Sequence, residues 1–278
     1  MTPAQQQEFL ARELDEAGIT FTLRAAPGQR PEAGFRYAAA RGPTLPFTAK
    51  IRNGALQVAA HDVAPNSDPA SAVAGVRALN ARWGIGNARY MEERKSCRIS
   101  ASYPVFARRP KDSLLKFLIG NLYTVGVVLS SGGQSVWKDA CHAADTMRAG
   151  FPSCDVAEAI DALATALRGI GHPFQSADGS GLRQIFHEPS GNKFAVMIAP
   201  WDTRFIRVVT TSQTFTGMSP DKADRLNEIA PIGCFISGDV PSVAHVWEFS
   251  PEFLAITERL AAWMIEVGAQ MSAAARNN

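Results

Sequence analysis

The residue types that could do chemistry are five histidines and four cysteines, and their spacing argues against a shared site. They are His61, His142, His172, His187 and His245, with Cys97, Cys141, Cys154 and Cys234. No HxH, HxxxH or CxxC pattern occurs, whereas a zinc site needs three or four converging ligands. The adjacent pair Cys141-His142 would point about 100° apart on a helix. We therefore predict no metal site and no cofactor.

Nucleophilic catalysis has equally little support in the sequence. Cys234 lies in the apolar run 232–235, and a cysteine in such a strand is usually an inert packing group. The chain has no G-x-S-x-G motif for a serine nucleophile. A Cys/His site built from residues far apart in sequence stays an open alternative. We predict that the chain has no catalytic residues and is not an enzyme.

A basic cluster is one candidate for contacting a partner. Arg108, Arg109 and Lys111 stand at the start of a predicted helix, where the helix dipole disfavours positive charge. We favour a solvated loop here, and the mismatch leaves a contact with an anion or an acidic partner as the alternative.

Two predicted helices that close the two halves of the chain are a second candidate. Both are apolar over a wide arc, so each must be covered on more than one side. Their aromatic residues Phe117, Tyr123 and Trp263 either pack between the halves or face a partner. We favour packing between the halves, which would imitate the contact of a homodimer.

The positions of these helices follow from an internal repeat. Residues 79–86 (LNARWGIG) return as residues 226–233 (LNEIAPIG), with four of the eight positions identical. Residues 9–21 match residues 162–174 at five of thirteen positions. Two matches in the same order indicate that the chain contains a duplicated module. We interpret the echo as a helix end and a turn, in which Asn80 and Asn227 bond to nearby backbone.

Composition narrows the range of partners and the compartment. A chain of 278 residues predicts one or two domains, and a net charge of +2 gives no basic domain for nucleic acid. The beginning of the sequence lacks the features of a signal peptide. The longest apolar stretch, 114–129, contains Lys116 and Asn121, so we predict no membrane span. We expect a cytoplasmic protein with reduced thiols and no nucleic-acid or membrane partner.

Hydrophobic periodicity predicts the same order of elements in both halves. Each half reads as a helix, a meander of strands, a second helix, two strands and a long helix. The Asn53-Gly54 dipeptide predicts a hairpin. We predict an α+β protein with a first module at 1–133, a linker at 134–153 that is either irregular or helical, and a second module at 154–278.

This element order resembles the type III secretion chaperone-like fold. The segment Leu79-Asn80-Ala81-Arg82-Trp83 followed by Ala88-Arg89-Tyr90-Met91 resembles a stretch of the bacterial YbjN family, called sensory transduction regulators. The second half departs from that pattern, because Cys234-Phe235 replaces the Arg-Tyr step. The resemblance implies helices packed on one antiparallel sheet in each module, used as a dimeric binding platform without an established active site.

Together these features predict a non-enzymatic regulator or chaperone-like protein that binds an unknown protein or peptide partner. The two modules would form a monomer with an internal pseudo-dimer, or the chain would form a homodimer. The alternative is a small-ligand binder or an enzyme that uses a cleft between the modules. The candidate partner-binding residues are Arg108, Arg109, Lys111, Phe117, Tyr123 and Trp263.

Overall fold

Two units make up the chain, residues 1–149 and 150–278, and each is built around its own antiparallel sheet. The structure is a computed structural model. It describes residues 1–25, 30–107, 114–132, 135–147, 155–177, 181–201, 205–229, 233–248 and 257–277.

In the first unit, a six-stranded sheet has the order β1-β2-β3-β4-β6-β5. The elements are α1 (Pro3–Glu16), β1 (Phe21–Arg24), β2 (Glu32–Tyr37), β3 (Leu45–Arg52), β4 (Ala55–Val63), α2 (Pro69–Trp83), β5 (Gly86–Met91), β6 (Ser96–Pro104), α3 (Leu114–Ser131) and α4 (Val136–Met147). Every neighbouring pair of strands is antiparallel.

Alternation of side chains explains how this sheet forms its core. Strand β3 alternates buried apolar residues such as Phe47 and Ile51 with half-buried polar residues such as Thr48 and Lys50. Since successive side chains point to opposite faces of a strand, the apolar set packs beneath α1 and α3. The predicted Asn53-Gly54 hairpin is confirmed, because both residues have positive φ and Arg52 pairs with Ala55.

In the second unit, a six-stranded sheet has the order β7-β8-β9-β10-β12-β11. The elements are α5 (Val156–Gly169), β7 (Gln175–Ala177), β8 (Gly181–His187), β9 (Lys193–Pro200), β10 (Phe205–Ser212), α6 (Pro220–Ile229), β11 (Cys234–Ile236), β12 (Ser242–Glu248) and α7 (Thr257–Asn277). Strand for strand, this is the order of the first sheet. The prediction of a mixed α+β chain with antiparallel sheets is confirmed, although the short strand β7 was not predicted.

The repeated asparagines perform the same task in both units. Asn80 donates its side-chain amide to the carbonyl of Ala88 and accepts from the Ala88 amide, at 2.9 and 2.6 Å. Asn227 makes the same two bonds to Phe235, at 3.1 and 2.7 Å. The prediction that these asparagines bond to nearby backbone is confirmed. Each asparagine therefore connects the end of a helix to an edge strand. We call these two arrangements the asparagine clamps.

The predicted linker, 134–153, contributes a helix to the first unit. Helix α4 packs on α2 and α3, and its Trp137 ring lies over Gly75 of α2, where a Cβ atom would come within 2.0 Å of the ring. Arg82 of α2 also lies 3.7 Å from Asp145 of α4. The helix is therefore part of the first unit's helical layer.

Helix α3 is the most apolar helix of the first unit. By length and composition alone it could cross a membrane, contrary to the prediction from Lys116 and Asn121, and it is the one such helix in the described residues. It packs on β4 and β6, and 56% of it is buried inside the protein. Its first turn is held from α1, because the backbone amide of Leu115 donates to a carboxylate oxygen of the buried Glu13 at 3.1 Å. This is the burial of a core helix.

Candidate functional site

The most distinctive surface of the first unit is the sheet face turned away from the helices. Alternation places on it the residues that share a side with Thr48 and Lys50 of β3, although β4 and β6 are buried on both sides along most of their length. Six of these residues are basic: Arg24 on β1, Arg36 on β2, Lys50 and Arg52 on β3, Arg89 on β5 and Arg98 on β6. We call this set the cationic face.

A groove of about 800 Å³ lies along part of this face. It runs over β1 to β4 and reaches the turn between β5 and β6. The polar residues that line it include Arg24, Glu32, Arg36, Thr48, His61, Asp62 and Arg94. A concave surface with convergent polar groups is the usual form of a binding site.

Two of the cations already have carboxylate neighbours. Lys50 lies 3.4 Å from Glu32 across the β2–β3 pair, and Arg94 lies 3.5 Å from Asp62. Within the described residues, Arg36 and Arg52 form no ion pair. The face therefore carries more positive than negative charge.

Arg98 lies at the most crowded point of the positive charge. It pairs directly with Arg89 across the β5–β6 ladder, an arrangement of like charges that destabilises a sheet. Burial lowers the pKa of Arg98, and Arg89 and Arg52 lower it further while Glu32 opposes them. Its buried Nε atom donates no hydrogen bond within the described residues. An anion bound here would relieve this repulsion.

His61 contributes a neutral polar group to the same groove. The register shifts between Ala60 and Val63 of β4, and the bulge brings His61 Nε2 within 2.9 Å of Thr48 Oγ1. Burial lowers the pKa of His61 to about 4, with Arg98 and Arg94 adding to the effect. At neutral pH the imidazole is therefore uncharged, and it supplies hydrogen bonding rather than charge.

Of the sequence-predicted site residues that the structure describes, none lies on the cationic face. Arg108, Arg109 and Lys111 lie outside the described residues. Phe117 is half-buried against Tyr103, with ring centroids 5.5 Å apart.

The other two predicted aromatic residues are interior. Tyr123 is 8% exposed and donates its hydroxyl to the carbonyl of Pro43 at 2.9 Å. Trp263 on α7 is also 8% exposed. Both side chains are therefore largely buried.

The cysteines offer no reactive thiolate among the described residues. Burial raises the pKa of Cys97 to about 12, and it also raises the pKa values of Cys141 and Cys234. A thiol is a nucleophile only as a thiolate. In the same parts of the chain, no three His, Cys, Asp or Glu side chains converge as metal ligands would.

Sequence reasoning missed the cationic face, although a signal was present. Basic residues alternate with apolar ones in four strands, as in Ala49-Lys50-Ile51-Arg52 and Cys97-Arg98-Ile99. That alternation predicts one basic face for each strand. The order and register of the strands then decide whether those faces join.

Comparison with known proteins identifies no relative of this chain. The chain matches no protein-family model, and no curated protein and no solved structure is significantly similar to it.

Proposed function

We propose that this protein is a non-enzymatic regulator or chaperone-like protein that holds an acidic segment of a protein partner on the cationic face. The observation that carries the proposal is the surplus of arginine on one grooved sheet face, with Arg98 directly opposite Arg89. A carboxylate-rich segment would balance part of this positive charge.

The chemistry of the groove suits carboxylates. An arginine side chain presents a planar fork that binds a carboxylate with two parallel hydrogen bonds. Thr48 and the neutral His61 lie among these arginines and add hydrogen-bonding groups that need no counter-charge. A groove of about 800 Å³ has room for several side chains.

The Thr48–His61 pair is the arrangement that the enzyme alternative would use. A hydroxyl 2.9 Å from an imidazole has the spacing of a nucleophile and its base. However, a histidine with a pKa of about 4 is a weak base at neutral pH. This supports binding over catalysis.

We further propose that the two units are tandem modules of the YbjN-like, chaperone-like type in a cytoplasmic protein, arranged as an internal pseudo-dimer. The equal strand order of the two sheets and the two asparagine clamps support a duplication. An experimental structure in which the sheets superpose strand for strand would agree with it. Unrelated topologies of the two units would contradict it.

A peptide titration tests the binding function. Fluorescence anisotropy would follow a labelled 12-residue glutamate-rich peptide, with a lysine-rich peptide of equal length for comparison. We expect the acidic peptide alone to bind. The double variant Arg36→Gln/Arg52→Gln should weaken binding about 5- to 30-fold, since each exposed ion pair contributes about 0.5–1 kcal/mol.

The matched control is Arg225→Gln, which removes one exposed arginine from α6 in the second unit. It should bind the acidic peptide as the wild type does. The proposal fails if the acidic peptide does not bind, or if the control loses as much affinity as the double variant.

A further inference from the structure

The corresponding face of the second sheet is more apolar, although it also carries basic residues. The asparagine clamps align Ala88 of β5 with Phe235 of β11, and the strand registers carry this alignment across both sheets. By this count Phe47 of β3 corresponds to Val196 of β9. The residues of the two faces can therefore be compared position by position.

Polar residues of the first sheet have apolar counterparts in the second. Arg36 corresponds to Ile185, Thr48 to Met197 and Arg89 to Ile236, as the registers place them. Small apolar residues occupy further positions on the same side of the second sheet. We define the apolar face as Ile185, Ala195, Met197, Ala199 and Val209, which share one side of β8, β9 and β10.

Two large side chains of the apolar face are in contact with solvent. Ile185 is 51% exposed and Met197 is 39% exposed. A groove of about 490 Å³ begins beside Ile185 and Ala195 and ends at Val240, which is 71% exposed. An exposed apolar surface joined to a groove is typical of an interaction site.

Positive charge borders the apolar face. Arg183 lies directly opposite Met197 on the neighbouring strand, and Lys193 lines the groove. Arg207 pairs with Ala199 and stacks on Trp201, with its guanidinium 4.6 Å from the ring centroid. Methionine, tryptophan and arginine are enriched where protein interfaces derive their binding energy.

We propose that the apolar face docks an amphipathic helix of a protein partner, with apolar residues in the groove and acidic residues beside Arg183, Lys193 and Arg207. This surface is separate from the cationic face, and the inference does not depend on the function proposed for that face.

The position of the face within the sheet favours a helix. Strands β8, β9 and β10 are each paired on both sides, so their backbone groups are already bonded within the sheet. An added strand would need a free edge. A helix satisfies its own backbone hydrogen bonds and offers only side chains, which is what the middle of a sheet can receive.

Charge argues against a second copy of the chain as the occupant. A two-fold contact brings the same patch of both copies together. Arg183, Lys193 and Arg207 of both copies would then lie in one interface, and like charges in an interface are costly. A helix with acidic flanks instead complements the border.

The test uses the full chain and two designed 18-residue peptides of equal composition. One places leucines at i, i+3, i+4 and i+7 with glutamates beside them, and the other has the same residues scrambled. Because the two peptides carry equal charge, any difference between their affinities, measured by fluorescence anisotropy, is due to the row of leucines on one side of the patterned peptide. We expect the patterned peptide to bind more tightly, and Ile185→Thr/Met197→Gln to weaken it about tenfold or more.

The Arg36→Gln/Arg52→Gln variant is the matched control, and it should leave the difference in affinity between the patterned and the scrambled peptide unchanged, because both peptides carry the same glutamates. Since Ile185 and Met197 are exposed, we expect Ile185→Thr/Met197→Gln to unfold at the same temperature as the wild type. We expect the same of the Arg36→Gln/Arg52→Gln control. The inference is overturned if both peptides bind alike, or if Ile185→Thr/Met197→Gln binds as the wild type does. It is also overturned if light scattering finds a dimer that this variant converts to a monomer. None of these three results would change the binding of the 12-residue glutamate-rich peptide to the cationic face, so the two proposals fail separately.

Discussion

At the scale of the residue, His61 shows how position changes the chemistry of a side chain. The sequence predicts an ordinary histidine, but the bulge in β4 places it among Arg98, Arg94, Asp62 and Glu32. Burial and the two arginines outweigh the two carboxylates, so the folded protein keeps the imidazole neutral. Its pKa of about 4 lies well below the ordinary value of 6.5.

This shift predicts a loss of stability in mild acid. Between about pH 6.5 and pH 4 the unfolded chain binds a proton at His61 while the folded protein does not, so stability falls as the pH falls. We expect His61 to account for about 2 kcal/mol of this fall, since one pKa unit is worth about 1.4 kcal/mol and solvent screens part of the effect.

Urea unfolding at pH 7.5 and pH 4.5 measures the effect. In His61→Gln the difference between the two pH values should shrink by that amount. His187→Gln is the control, because His187 is exposed on β8. An equal pH dependence in the wild type and His61→Gln would show that His61 titrates normally.

At the scale of the element, helix α4 depends on the absence of a side chain in α2. Gly75 lies beneath the Trp137 ring, and no Cβ atom fits between them. The glycine is thus required by close packing rather than by its backbone conformation, because its φ is not positive. Sequence reasoning predicted a linker here because it could not see this contact.

We predict that Gly75→Ala destabilises the protein by about 1–3 kcal/mol, the usual cost of overpacking. The matched control is Gly120→Ala in α3, where an added Cβ meets no atom within 4 Å. Alanine there should stabilise by about 0.5–1 kcal/mol, because glycine is unfavourable inside a helix. Chemical denaturation followed by circular dichroism distinguishes the two. Equal effects would place Trp137 away from Gly75.

At the scale of the whole molecule, a net charge of only +2 conceals an uneven distribution. The cationic face gathers arginines on one sheet, whereas the apolar face exposes Ile185 and Met197 on a sheet of the same strand order. Two sheets of one topology therefore present two chemistries. This division supports two kinds of partner segment on one chain.

The division predicts different responses to salt. Raising NaCl from 50 to 500 mM should weaken the glutamate-rich peptide about tenfold, because the Debye length falls to a few ångströms and exposed charges are screened. A patterned peptide with glutamine in place of glutamate should change little. Titrations at both salt concentrations check this, and equal losses for the two peptides would show that both use the same surface.

The sequence by itself determined the elements of this protein and their order. Its periodicity indicated most of the helices and strands, the Asn53-Gly54 dipeptide indicated a hairpin, and the repeated asparagines indicated two matching helix ends. These features are local, because a turn, a helix cap or an amphipathic pattern is determined by residues that are close together in the sequence. The short strand β7 was missed because three residues carry too little periodicity.

Only the tertiary structure decided where the candidate binding surfaces lie. Arg89 and Arg98 face each other through the register of β5 and β6, and Ile185 reaches the groove beside Val240 through the order of the second sheet. Strand order and register join residues that are far apart in sequence, and a shift of one residue would turn each side chain to the other face. The sequence also left open whether Tyr123 and Trp263 pack in the interior or face a partner, and the structure buries both side chains.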